Sequence, residues 1–231
     1  MRFVPKKQAI ESRKKMIQGG NGKILLLFFA IFFLDSSAMG QNGKIKQFFG
    51  LHYPEQVWVV FHPFVAGKAL LIAQHAQDES LKMIPDSAMD GDFAGGQIDA
   101  FRHAYWMANL GCSIGERKAR WLGKAHEKGN KIDYGRKTLE EGNLPDYKSS
   151  EMDLCNNEVG LKIAKKCPHC SSDEFKEIVK QAVIDGEMKI IKKNITGDFL
   201  NASGEVIPKE NYYGLWHTPK RLVQSNFKRP K

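Results

Sequence analysis

Gln97-Ile-Asp-Ala-Phe-Arg-His-Ala-Tyr-Trp-Met-Ala-Asn-Leu110 is the stretch on which the fold turns. Ala100, Met107 and Leu110 recur at helical spacing, so the segment reads as a helix facing a packed interior. Asp99 and His103 lie one turn apart within that apolar pattern. Burying ionisable groups is costly unless they are paired, hydrogen-bonded or metal-bound. Two further segments carry the same signature: Ala125-His-Glu127 and Met152-Asp-Leu-Cys-Asn-Asn157. Three polar insertions on three helices of one domain mark a candidate site.

Helices extend outward on both sides of this segment. Tyr53-Pro54 opens one, with Pro at an early position where its missing N–H costs nothing. Val57-Trp-Val-Val-Phe61 is apolar on every side and is expected to be deeply buried. Pro63 breaks or kinks the element, and a second helix follows from Phe64 to about Met83. Ile84 to Gly96 is rich in Asp and Gly and reads as a loop. After a tight connection at 111–115, a helix runs from Glu116 to about Lys128 and is ended by Gly129-Asn130. Residues 131–148 read as irregular. Ser149-Ser-Glu151 caps the helix of the third cluster, and Ser172-Asp-Glu174 begins another running to about Gly186. Short β-like runs at 188–191, 198–200 and 205–207 predict a small hairpin. The basic tail, 228–231, is expected to be disordered. The expected fold class is mainly α: a single helical domain at 54–192, followed at 193–231 by a small C-terminal β-hairpin extension and basic tail.

Residues 1–40 read as an export signal. A basic stretch ends at Lys23, Ile24 to Leu34 is an apolar run too short to span a bilayer comfortably, and small residues precede a cut before Gln41. Residues 41–53 are then an N-terminal linker, and the expected location is periplasmic or secreted. The leader holds seven of the 35 basic and two of the 26 acidic residues, so the net charge of +9 falls to about +4 without it. That modest excess argues against nucleic-acid binding, and membrane contact is expected only through the export signal. A composition 42% hydrophobic and 26% charged suits an ordinary globular core. Of the four cysteines, Cys167-Pro-His-Cys170 has disulfide-exchange spacing. It follows the end of a helix rather than a strand, however, and reads foremost as a loop staple or a reduced pair between helices, with a redox role or a zinc site on these thiols as the alternatives.

The clusters suggest chemistry. Asp99 can accept the ring N–H of His103, which suits a general base or a metal ligand. Arg102 could bind a substrate anion. His126 lies on a face with Ala119, Leu122 and Gly123, where small residues admit a neighbouring helix, so its ring is expected to be buried. Glu127 points about a hundred degrees away. His-Glu here is not the His-Glu-x-x-His zinc motif, because Asn130 stands where the second His would be. Asp153, Asn156 and Asn157 fall within one turn, with Gly160 on the same side. His103, His126 and Asp153 could together supply three ligands to a divalent metal, zinc first, with Glu127 as base. A metal-free alternative uses Asp99 and His103 to activate water, with Asn156 or Asn157 holding an oxyanion. His52, His62, His75, His169 and His217 have no acidic partner at helical spacing on an apolar face, and core, surface or loop roles are expected of them.

Asp99-Ala-Phe-Arg-His-Ala-Tyr-Trp106, Gly123-Lys-Ala-His-Glu127 and Ser150-Glu-Met-Asp-Leu-Cys-Asn-Asn-Glu-Val-Gly160 together resemble an uncharacterised family of bacterial, often exported, helical domains of unknown function. The resemblance covers roughly residues 54–192, with Cys155 where an aromatic or His is expected. It implies no activity, substrate or cofactor. Two readings therefore stand: an exported, metal-dependent hydrolase with a His/Asp site between helices, acting on an envelope substrate through an ester, phosphoester or cell-wall bond; or a non-catalytic envelope module whose buried polar network is structural.

Overall fold

Gly95 adopts φ +88°, a left-handed conformation that glycine accepts without strain, and from it the chain turns into the central helix. The computed structural model describes residues 46–139 and 143–230. The expected leader and the first five residues of the linker, 41–45, lie outside them. Among the described residues, the domain from Tyr53 on is carried by α1 (Tyr53–Phe61), α2 (Pro63–Met83), α3 (Gln97–Ile114), α4 (Glu116–Arg136), α5 (Tyr147–Lys166) and α6 (Ser172–Ile184). β1 (Lys189–Ile191) and β2 (Leu222–Gln224) complete the domain as an antiparallel pair, with Ile190 opposite Val223. The architecture is mainly α with a small C-terminal two-stranded sheet. No helix among the described residues is long and apolar enough to cross a membrane.

α3 is apolar nearly all round and is correspondingly enclosed. One side, through Ile98, Phe101 and Tyr105, packs on Phe175, Val179 and Val183 of α6 and on Met188 and Ile190. The other, through Met107 and Leu110, meets Trp58, Ala119 and Leu161. Each fully buried large side chain contributes about 1.5–3 kcal/mol, so this one helix anchors both halves of the core. α6 is held by a capping box, in which Ser171 Oγ accepts from Glu174 N and Glu174 returns a bond to Ser171 N.

Several expectations need correction. Of the run 57–61 only Trp58 is buried, and Phe61 is 68% exposed, because a single face of α1 is covered by α4. α4 does not end at Gly129-Asn130 but continues to Arg136; both residues are buried, since Gly129 abuts His52 and Asn130 bonds Glu127. The N-cap of α5 is Asp146, accepting from Lys148 N and Ser149 N, rather than a residue of the Ser-Ser-Glu segment. The turn at Asn194–Gly197 forms, with a bridge between Lys193 and Phe199, but β1 finds its ladder partner some thirty residues on. The basic tail is tied down at Arg229, whose guanidinium bonds Asp90 and Asp92 at 2.6 and 2.7 Å, and at Pro230, whose carbonyl accepts from Ile195 N at 2.9 Å.

On the α2–α6 side, Glu79 accepts from Lys82 at 2.6 Å and Lys176 at 2.8 Å, which hold its carboxyl down to about 2. A carboxylate lowered in the folded state stabilises above its unfolded pKa and loses that contribution as pH falls from about 4.5 towards 2. The loss is at most about 3 kcal/mol, reduced by solvent around the exposed Lys82. Glu79→Gln is expected to flatten that limb of the acid-unfolding profile followed by circular dichroism, leaving stability near neutrality lower and less pH-dependent.

Candidate functional site

α3 and α5 cross where Gly160 has no side chain. A Cβ placed there would overlap the Ala104 carbonyl oxygen and lie 2.9 Å from its carbonyl carbon. This close approach brings the polar insertions of the two helices face to face. His103 Nε2 lies 3.5 Å from Asp99 Oδ1 and 3.4 Å from Asp153 Oδ1. One ligand atom from each of Asp99, His103 and Asp153 falls within 4.8 Å of the others, and all three residues are buried. His103 is 4% exposed.

Around this centre the hydrogen bonding is directional. Asn157 Oδ1 stands 3.4 Å from His103 Nδ1. A carboxamide oxygen can only accept, so the proton sits on Nδ1 and the Nε2 lone pair turns toward the two carboxylates. Gly95 N donates to Asp99 Oδ2 at 2.7 Å. Arg102 Nη2 donates to Asp99 Oδ1 at 2.6 Å and sits 3.3 Å from His103 Nε2, with its guanidinium 4.7 Å above the Phe93 ring. A lone pair facing two carboxylates is repulsive unless a cation stands among them, and Arg102 supplies positive charge at its edge. Burial raises the Asp99 carboxyl above the ordinary range, against the opposing pull of Arg102 and Gly95 N. Burial, with the nearby positive charge of Arg102, pushes His103 well below its ordinary value, so its imidazole is neutral near neutrality.

A second histidine borders the cluster. The His126 and His103 rings are 6.3 Å apart, and Trp106 packs against both, at 5.7 and 6.4 Å. His126 is 30% exposed at the side chain, not buried as its helical face suggested, because Glu55 of α1 draws it to the rim. Glu55 Oε1 sits 3.2 Å from His126 Nδ1. Burial pushes the Glu55 carboxyl up, yet the hydrogen bond and charge of His126, together with His52, hold it below the ordinary range. His52 also lies 2.9 Å from Asp133, so acidic partners reach this histidine from α1 and α4, though none stood at helical spacing on an apolar face.

Each predicted site residue can now be placed. Asp99, His103 and Asp153 converge, with Asn157 and Arg102 touching His103. Of the expected ligands His103, His126 and Asp153, two converge with Asp99 into a group that could hold a metal ion, and the His126 ring stands 6.3 Å from that of His103. Asn156 is spent on structure rather than substrate: its amide accepts from Lys189 N and donates to Lys189 O, both at 2.9 Å, bolting β1 to α5. Glu127 is buried and accepts from Asn130 Nδ2 at 3.2 Å; its side chain is part of α4's packing rather than a solvated face. Glu55 and Trp106 went unnoticed in the sequence. Glu55 lies in a different helix with no local signature. Trp106 had one, its single-turn spacing from His103. Its buried Nε1 has no hydrogen-bond partner among the described residues.

The C-terminal segment fastens the site from outside. Lys220 Nζ, buried beside Phe199 and Tyr212, donates to the α5 N-cap Asp146 at 2.6 Å. Lys193 Nζ donates to Asp92 and to Ala94 O at 2.6 and 2.7 Å, steadying the loop that leads into Gly95. Cys167 and Cys170 form a disulfide between α5 and α6, the staple reading of that motif.

The family model of a domain of unknown function, DUF6973, matches residues 56–187. No curated protein and no solved structure matches the chain.

Proposed function

The chain belongs to the DUF6973 family, whose description carries no activity, so function is argued from the site: we propose an exported hydrolase that holds a divalent cation, zinc first, on Asp99, His103 and Asp153. The observation that carries this reading is the convergence of two carboxylate oxygens and the His103 Nε2 lone pair on one buried point. A simple Asp–His base would need one ring nitrogen on a carboxylate and the other open to substrate. Here both carboxylates face Nε2 and an amide holds Nδ1, so neither nitrogen is left for general-base work. Two carboxylates and an imidazole are, by contrast, a ligand set that suits a divalent ion. The fit extends outward, because Asn157 fixes the tautomer and Gly95 N orients Asp99.

A bound cation would supply Lewis acidity and lower the pKa of a water at the site. The chain's own residues do the rest. His126, on the rim with Glu55 Oε1 3.2 Å from its Nδ1, would serve as proton acceptor there through its other ring nitrogen, the role the sequence suggested for Glu127. Arg102, which donates to Asp99, would offer its charge to the oxygen that becomes anionic as an ester is attacked, or to a non-bridging phosphoester oxygen. Trp106 Nε1 offers a further donor. The leader read in residues 1–40 supports location outside the cytoplasm, and the Cys167–Cys170 disulfide suits such an oxidising compartment.

The second reading, a structural polar network, is favoured by enclosure. The groove of about 490 Å³ along α5 is lined by Leu154, Cys155 and Val159 and touches none of the three converging residues. Elemental analysis of protein purified without chelator, paired with hydrolysis assays on ester and phosphodiester chromogens, separates the two. Near-stoichiometric metal with chelator-sensitive turnover is expected. Metal-free protein that gains no thermal stability from added zinc, manganese or magnesium leaves the network reading.

A further inference from the structure

α4 carries seven basic residues against Glu116, Glu127 and Asp133. Its excess of four positive charges equals the entire excess of residues 41–231. Each of the three acids is already engaged: Glu116 by Arg120 at 2.7 Å, Glu127 in the packed interior beside Asn130, and Asp133 by His52. Arg117, Trp121, Lys124, Lys128 and Lys131 recur at intervals of four and three, so they form one stripe along the helix, and all are exposed.

α1 lies antiparallel against this helix. At one end the Phe61 and Trp121 rings meet at 5.8 Å and Trp58 Nε1 donates to Lys118 O; at the other, His52 meets Asp133. The outward aromatic side chains of that corner are unusually bare. Phe61 is 68% exposed, Phe64 at the start of α2 86%, and Trp121 40%, with Leu71 two turns beyond Phe64 also exposed. An apolar corner thus adjoins a basic stripe with no unengaged acid on its helix.

We infer that this face seats the domain on an anionic bilayer surface, with Phe61, Phe64 and Trp121 entering the interface and the α4 stripe lying over acidic headgroups. Charge complementarity names the occupant: lysines beside a Trp–Phe cluster match the interfacial zone, where amphipathic aromatic rings and anionic headgroups meet. A nucleic acid would use the stripe but gives Phe64 and Leu71 nothing to cover. The inference rests on the surface alone and stands or falls apart from the metal site. It also goes beyond the expectation of membrane contact only through the leader.

The test is co-sedimentation of the full chain with vesicles of phosphatidylcholine alone or mixed with phosphatidylglycerol, at low and high salt. Three forms are compared: wild type, Lys124→Glu/Lys128→Glu, and Phe64→Ser. All three changes are on exposed positions, and circular dichroism verifies the folds. Binding is expected to require phosphatidylglycerol, to fall with salt, and to drop roughly tenfold or more in the charge-reversed form and measurably in Phe64→Ser. Binding that neither variant weakens belongs to the leader and overturns the proposal. So does tight binding to duplex DNA that the charge reversal abolishes and Phe64→Ser leaves intact, or a vesicle-independent dimer that Phe64→Ser dissociates.

Discussion

Gly160→Ala is expected to destabilise the domain by several kcal/mol, or to prevent its folding. On propensity alone the change should help, since Ala is better than Gly inside a helix by about 1 kcal/mol. Packing decides otherwise. The new methyl would occupy the space of the Ala104 carbonyl oxygen and crowd the Ala104 carbonyl carbon and Cα, each at 2.9 Å. These are backbone atoms of Ala104, a fully buried residue, so no side chain can swing aside. Overpacking costs about 1–3 kcal/mol where some relaxation is possible, and here two helices would have to separate along their crossing. Separation would also part Asp153 from Asp99 and His103. Chemical denaturation should show a lower midpoint, and any variant that folds should bind metal more weakly. A variant as stable as the wild type would mean that the helices cross with more slack than Gly160 indicates.

Asp153→Asn is expected to weaken divalent-metal affinity by at least about 100-fold, since loss of partners one shell further out already costs about 10–100-fold. The substitution keeps the side chain's size and removes one of two buried negative charges around His103. If a cation belongs at that point, saturating metal should stabilise the wild type by about 2.7 kcal/mol at a hundred times its dissociation constant and leave the variant unmoved. If Arg102 is the sole counter-charge, two carboxylates share one guanidinium, and neutralising one of them relieves repulsion. The metal-free variant would then equal or exceed the wild type in stability. Thermal unfolding of both proteins, with and without zinc, distinguishes these outcomes.

Much of the helical framework was legible because it depends on local pattern. The apolar spacing around His103 set the central helix. Pro54, Pro63 and the Ser-rich start of α6 marked boundaries, and the Asp99–His103 pair followed from one helical turn. Boundaries failed where a tertiary partner overrode a local signal. Gly129-Asn130 has the composition of a helix end, but Gly129 is there because His52 packs on it, and α4 runs on. The run 57–61 is uniformly apolar, yet only the face toward α4 is covered. Arg229 looks like part of a solvated tail until Asp90 and Asp92, some 140 residues earlier, are brought beneath it.

The site divides the same way. By itself the sequence determined that three helices each carry a costly polar insertion, and that Asp99 and His103 stand on one face, because spacing along a helix is a property of the chain alone. Only the tertiary structure decided that Asp153 meets that pair, that Glu55 draws His126 to the rim, and that Asn156 serves a strand. Those contacts depend on how far and at what angle helices cross. That distance is set where Gly160 lets α5 rest on the backbone of Ala104, a fact about two surfaces that neither helix carries on its own.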